Sequence, residues 1–223
     1  MISIIFSAIA GIILACVKLQ ITERATKSKF SIVKYILKNK IQRVYMLYVL
    51  ITQIAWSAAT GLKMLMLTDY FDFSASIATN YLLIVGLVSD VLGILALKYF
   101  TPQNDYSTMF IKFGVRAIFF FMAFASGNIF MCFIALTWAL LSSTAYENIS
   151  DGYYINAIDN RHQLKYNTVR HVVNYAGDAI GMFICGQLFK YGVAEIFGVS
   201  AIFLVALLIV SFYLIYLRHK KRP

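Results

Sequence analysis

The chain has little of what most catalytic sites are made from: three histidines, three cysteines and ten acidic residues in 223. His162, His171 and His219 show no metal-ligand spacing of the kind that puts two imidazoles on one helical turn. Cys16, Cys132 and Cys185 each sit alone inside an apolar stretch, which argues against a disulfide framework and against a zinc cluster. No nucleophile motif, phosphate loop or CxxC pair is present, so the sequence gives an enzyme no support and implies no cofactor and no metal. Proline is nearly missing as well, with only Pro102 and Pro223.

What fills the chain instead is hydrocarbon. Hydrophobic residues make up 61% and charged residues 13%, with a mean hydropathy of +0.74, whereas soluble domains carry about 25% charged residues. A helix needs roughly 20 mostly apolar residues to cross a bilayer, where backbone polar groups must be satisfied within the segment. Seven stretches qualify, at 2–19, 44–67, 74–100, 109–126, 129–146, 168–190 and 194–217. The expected class is all-α: a polytopic membrane protein with a first span (1–19), a basic connection (20–43), a six-helix bundle (44–217) and a basic tail (218–223). The first span lacks a basic leader and a small-residue cleavage site, and is read as retained rather than as a signal peptide.

Cations fall on alternate sides of these spans. Eight lie in the first connection, from Lys18 to Arg43. Lys98, Lys112 and Arg116 flank the third connection, Arg161, Lys165 and Arg170 the fifth, and Arg218, Lys220, Lys221 and Arg222 form the tail. Only Lys63 and Lys190 lie elsewhere. Cationic loops stay on the cytoplasmic side, so a multi-pass protein of the cell membrane is expected, with its N-terminus outside and its C-terminus in the cytoplasm. The net charge of +10 is then a topology signal and not a nucleic-acid footprint. Within the first connection Phe30, Val33, Ile36, Leu37, Ile41 and Val44 recur at helical spacing among lysines, which predicts an interfacial amphipathic helix over 28–44.

Seven spans with an outside N-terminus also describe heptahelical receptors, but their span prolines and NPxxY ending are missing. The order of spans resembles the second part of a major facilitator superfamily transporter, from the sixth helix through the long central loop to the twelfth. The third span carries Gly86-Leu-Val-Ser-Asp90-Val-Leu-Gly93, similar to the family's GxxxDxxG core, with Val91 and Ile94 where arginines usually follow. The sixth span opens Arg170-His-Val-Val-Asn174-Tyr-Ala-Gly177-Asp178-Ala-Ile-Gly181 and continues to Gly186, similar to the eleventh helix of drug exporters. Ile36-Leu-Lys-Asn-Lys40 is similar to the approach to helix seven.

The resemblance implies a substrate site near the midplane between two six-helix halves, so this chain needs an N-terminal half, on the same or a separate chain, or a second copy. Ionisable residues within spans are the natural site candidates, being costly in lipid. Asp178, with Asn174 one turn before it, is expected either to face the cavity and take up a proton or contact a cationic substrate, or to close an interhelical contact. Gln53, Trp56, Thr60 and Lys63 belong to the second span; Gln53, Thr60 and Lys63 share a stripe with Ser57. Arg116 is placed to pair with Asp90 as a gate, with Gly86, Gly93 and Arg170 in the same motif regions. Gly177, Gly181 and Gly186 are expected to admit a neighbouring helix. The implied function is that of a partial or split secondary transporter, driven by protons and exporting a small or amphipathic compound. The alternatives are a truncated, non-transporting remnant and a structural membrane subunit that binds another protein.

Overall fold

The computed structural model describes residues 32–99, 109–144 and 160–219. The expected first span, most of the basic connection, residues 100–108 and 145–159 and the last four residues lie outside them. Chain contacts set Ile36–Pro223 apart as one compact unit, which contains every site below.

The described chain is helical, with no strand. Helix α1 (Ile32–Lys38) stops at Asn39, whose backbone is extended (φ −92°, ψ 113°) and whose side chain accepts from the Ile41 N–H at 3.1 Å. That is an N-cap, so a new helix starts where one continuous surface helix was expected. Val33 and Leu37, one turn apart on α1, are 52% and 61% exposed, the apolar edge expected of an interfacial helix.

Helix α2 (Lys40–Thr60) then enters the bundle. After a break at Gly61 and Leu62 it resumes as a single turn, Lys63–Leu65, and a π-helical turn, Met66–Tyr70. Helix α3 spans Ala75–Tyr99. A second π-helical turn, Phe110–Gly114, leads into α4 (Val115–Ser126). Gly127, at φ 58°, donates to the carbonyls of Ala123 and Phe124, a left-handed C-terminal cap that favours glycine. The side chain of Asn128 then accepts from Phe130 N–H at 2.8 Å and starts α5 (Ile129–Leu141). Two residues therefore reverse the chain between α4 and α5. Helix α6 (Asn160–Phe189) and helix α7 (Val193–His219) complete the bundle.

Among the described residues four helical runs are long and apolar enough to cross a membrane: Lys40–Tyr70, Ala75–Leu95, Tyr166–Phe189 and Val193–Leu217. Ile129–Leu141 is a shorter apolar helix. Helices α2 to α7 fall where the later six spans were expected, and two boundaries move. The second span begins near 40 instead of 44. The sixth begins at 160 instead of 168, which puts Arg161 and Lys165 on helical turns and not in a loop. Thirty residues of helix extend roughly 45 Å, beyond the ~30 Å hydrocarbon thickness, so polar turns continue past the apolar part.

Helix α2 is the centre of the packing, against α6 and α7; α7 packs on α4, and α4 on α5. Phe120 of α4 meets Phe197 of α7 with ring centroids 4.9 Å apart, both fully buried. Helix α3 is peripheral. It leans on α5 along a narrow stripe that includes Ala78, Val85 and Ser89, while Leu83, Ile84, Leu87 and Ile94 are all more than half exposed. An apolar outer face of this kind is what lipid solvates.

Candidate functional site: a charged cavity between α2, α4 and α6

Glycine brings α6 onto α2. A Cβ on Gly177 would lie 2.7 Å from Gln53 Cβ and 3.0 Å from the Leu50 carbonyl oxygen; one on Gly181 would lie 2.7 Å from the Ile54 oxygen and 2.9 Å from Ala58 N. Opposite them α2 offers Ser57 and Ala58, both buried. Gly177 and Gly181 are thus where α6 comes nearest to α2 among the glycines of that helix. Gly186 is different: nothing lies within 4 Å of its Cβ position, so it packs no helix among the described residues, and the same is true of Gly86. Both are on outward faces.

The close approach joins side chains as well as backbones. Gln53 Nε2 donates to Asp178 Oδ1 at 2.5 Å, and Ser57 Oγ donates to the same oxygen. Asp178 lies near the middle of the apolar run Tyr166–Phe189; it closes an interhelical contact and also lines the cavity beside it. The remainder of the expected stripe separates. Thr60 is buried and turns its hydroxyl to the Trp56 carbonyl at 2.9 Å. Lys63 lies past the break at Gly61, where the helical phase is reset, and is exposed.

Beside Asp178 is a cavity of about 320 Å³. Gln53, Trp56, Arg116, Arg170, Asn174 and Asp178, six of the expected site residues, all line it. Thr60, Lys63, Gly86, Asp90 and Gly93 do not.

Helix α4 supplies the charge. Lys112 sits in the π-helical turn and Arg116 one turn later, at 3% and 7% exposure. Lys112 Nζ donates to the Tyr48 hydroxyl at 3.1 Å and lies 4.8 Å from the centroid of the Phe113 ring. Arg116 places its guanidinium 5.3 Å from the Trp56 ring and donates through Nη2 to Ser142 Oγ at 2.6 Å and to the Ala139 carbonyl at 3.3 Å. Each cation is thus held over an aromatic face in a desolvated setting, where that contact is strongest.

The expected gate between Arg116 and Asp90 is not formed. Arg116 turns inward to α5 and Trp56, while Asp90 is exposed on peripheral α3 and accepts from Thr144 at 3.1 Å. Its neighbour Ser89 bonds Ser143 and Thr144 at 3.1 and 3.0 Å, so this motif region ties α3 to the end of α5. Gly93 is buried on the same helix, away from the cavity.

Toward the α1 end the cavity is walled by tyrosines. Tyr45 stacks on Tyr166 (6.3 Å, 8°) and on Tyr48 (5.9 Å, 16°), and the Tyr166 hydroxyl donates to Gln42 Oε1 at 2.6 Å. These tyrosines, Lys112 and His171 were not among the residues expected from sequence. Lys112 had a legible signal, since it and Arg116 are one turn apart in an otherwise apolar helix. Reading Lys112 as a boundary charge hid it.

Cys132 and Cys185 are buried free thiols, and no cluster of three or more metal-binding side chains occurs among the described residues. Compared with family models, with curated proteins and with solved structures, the chain gives no match in any of the three.

Proposed function

We propose that the chain is a partial or split secondary active transporter of the major facilitator type, moving a small compound across the cell membrane by alternating access. The cavity carries this reading. Ionisable side chains from α4 and α6 and amide and hydroxyl groups from α2 line one space within an apolar bundle, and such groups are costly in lipid unless they face a cavity or a partner.

The open side of the cavity argues for a partner. Helix α6 lines it with His171 and Tyr175, both exposed, and Gln187 is exposed farther along the same helix. A bilayer solvates such groups poorly, so a second six-helix half, on the same or another chain, or a second copy of this chain, covers them. Proton coupling runs through Asp178. A protonated carboxyl is no longer a pure acceptor, so proton loading weakens its hold on Gln53 and Ser57 and loosens α6 from α2. The cationic turns at the start of α6 face the cytoplasm, with the N-terminus outside.

The test is reconstitution of the tagged full chain, with whatever accompanies it, into proteoliposomes holding a pH-sensitive dye. Compound-driven proton movement that disappears in Asp178→Ala supports the proposal. A silent preparation in which another membrane protein co-purifies in fixed ratio would instead identify a structural subunit. An immunoblot of the native product then reports whether the half is separate, near 25.2 kDa, or part of a longer protein.

A further inference from the structure

We infer that the outward groove between α4 and α7 holds an acyl chain of an anionic glycerophospholipid whose phosphate is bound by Lys40 and Arg43. This rests on the bundle lying in a membrane and not on transport. The groove has a volume of about 770 Å³ and shares no lining residue with the cavity beside Asp178. Its buried lining residues are all glycine or alanine, namely Gly114, Ala117, Gly198 and Ala201, and large side chains such as Phe121 and Ile202 are exposed at its edges. Small residues below large ones leave a channel. Among the described residues only one ionisable side chain lines it, Glu195 in the first turn of α7.

The groove leads toward cations. Along α7, Ile202, Val205, Ile209 and Tyr213 follow one another in steps of three and four residues and are all exposed, so one column of side chains runs from the groove toward the end of the helix. From Ile202 to Tyr213 the helix rises roughly 16 Å, half of a ~30 Å hydrocarbon core. That is the depth of one leaflet. At the end of the column Lys40 places Nζ 5.5 Å from the centroid of the Tyr213 ring. Arg43 follows one turn later on α2, and both cations are exposed with no ion pair among the described residues.

This juxtaposition selects the occupant. A lipid phosphate stands at the depth where cations and tyrosines collect, and its chain continues down an apolar column that a free phosphate has no means to use. The Tyr213 ring takes one side of the Lys40 ammonium and leaves N–H donors for phosphate oxygens, to which Arg43 adds a planar fork. Both stand in the first turn of α2, which carries no acidic residue, and the helix dipole there adds to the attraction. A zwitterionic lipid brings its own ammonium to compete with these cations. An anionic lipid does not.

The tagged full chain, with whatever accompanies it, is purified in a non-ionic detergent and titrated with dioleoylphosphatidylglycerol, dioleoylphosphatidylcholine and glycerophosphoglycerol. Native mass spectrometry counts what stays bound. The expected result is one saturable phosphatidylglycerol per chain, held at least tenfold more tightly than phosphatidylcholine, and no binding of the headgroup without its chains. Replacing both cations, Lys40→Gln with Arg43→Gln, should abolish that preference. Val205→Trp, which puts a ring into the groove from an exposed position, should weaken both lipids about fivefold. If the double variant fails to fold, rising ammonium acetate supplies the charge test on the parent, because screening weakens the anionic lipid and leaves the zwitterionic one unchanged.

Equal affinity for the two lipids, or a preference that survives the double substitution or high salt, overturns the phosphate site. Lipid binding that ignores Val205→Trp overturns the groove. So does a dimer that forms without lipid and is broken by Val205→Trp, since a second copy would then be the occupant. Binding of the headgroup alone would remove the acyl chain from the proposal.

Discussion

Ser57 and Asp178 stand 121 positions apart in the chain and share a hydrogen bond through Oδ1, with Gln53 donating to the same oxygen. One carboxylate therefore fixes two successive turns of α2 against α6. Asp178→Ala leaves both donors without their acceptor in a half-buried contact, at a cost of about 1 kcal/mol. Thermal unfolding in detergent should show the loss, and Asp178→Asn, which keeps one acceptor, should lose less. Equal midpoints for the alanine variant and the parent would rule out a structural role for the contact.

Glycines on one helix should respond oppositely to the same change. Gly181→Ala puts a methyl group 2.7 Å from the Ile54 carbonyl oxygen, a backbone atom that cannot rotate away, so folded yield in membranes should fall, and Gly181→Leu should lower it further. Gly186→Ala meets nothing within 4 Å and gains helix propensity, up to about 1 kcal/mol. Fluorescence-detected size-exclusion profiles of the variants make the comparison. A well-folded Gly181→Leu would show that α6 does not press on α2.

Arg116 is held by its shape as much as by its charge. Arg116→Lys keeps the charge but loses the two hydrogen bonds that Nη2 donates to Ser142 and Ala139 and the placement of the guanidinium over Trp56. We expect a lower unfolding midpoint. A double-mutant cycle with Trp56→Leu should return a coupling of about 0.5–2 kcal/mol, and additivity of the two changes would remove the cation–π contact.

Cys132 and Cys185 are buried, so in a Cys16→Ser background a thiol-reactive maleimide should label the folded protein only slowly. Labelling should accelerate as the bundle opens with heat or denaturant. Rapid labelling at low temperature would mean that the α4–α5 or α2–α6 packing is wrong.

Much of this fold was legible because the bilayer demands long apolar segments, and the later six segments stand out by composition alone. The ends were harder to place. Asn39 was not recognised as a cap because the apolar spacing runs through it, from Leu37 to Ile41. The helical turns carrying Arg161 and Lys165 are polar, and hydropathy cannot distinguish a polar helix beyond the membrane from a loop. In the cavity, Asp178, Asn174, Gln53 and Arg170 could be read from polarity within spans. Asp90 was misjudged because its motif says nothing about how far α3 stands from the other helices. Tyr45 and Tyr48 carried no signal in the sequence, since tyrosine is as much at home at a membrane interface as against a cavity wall.

The widened turn at Phe110–Gly114 sets the angular position of the buried lysine. A π turn holds one residue more than regular winding needs, so it works like a spare tooth between the chain before it and Arg116 after it. Removing a single residue from this turn would restore even winding and change the angle between the lysine and the arginine about the helix axis, although every other residue of the chain would be unchanged.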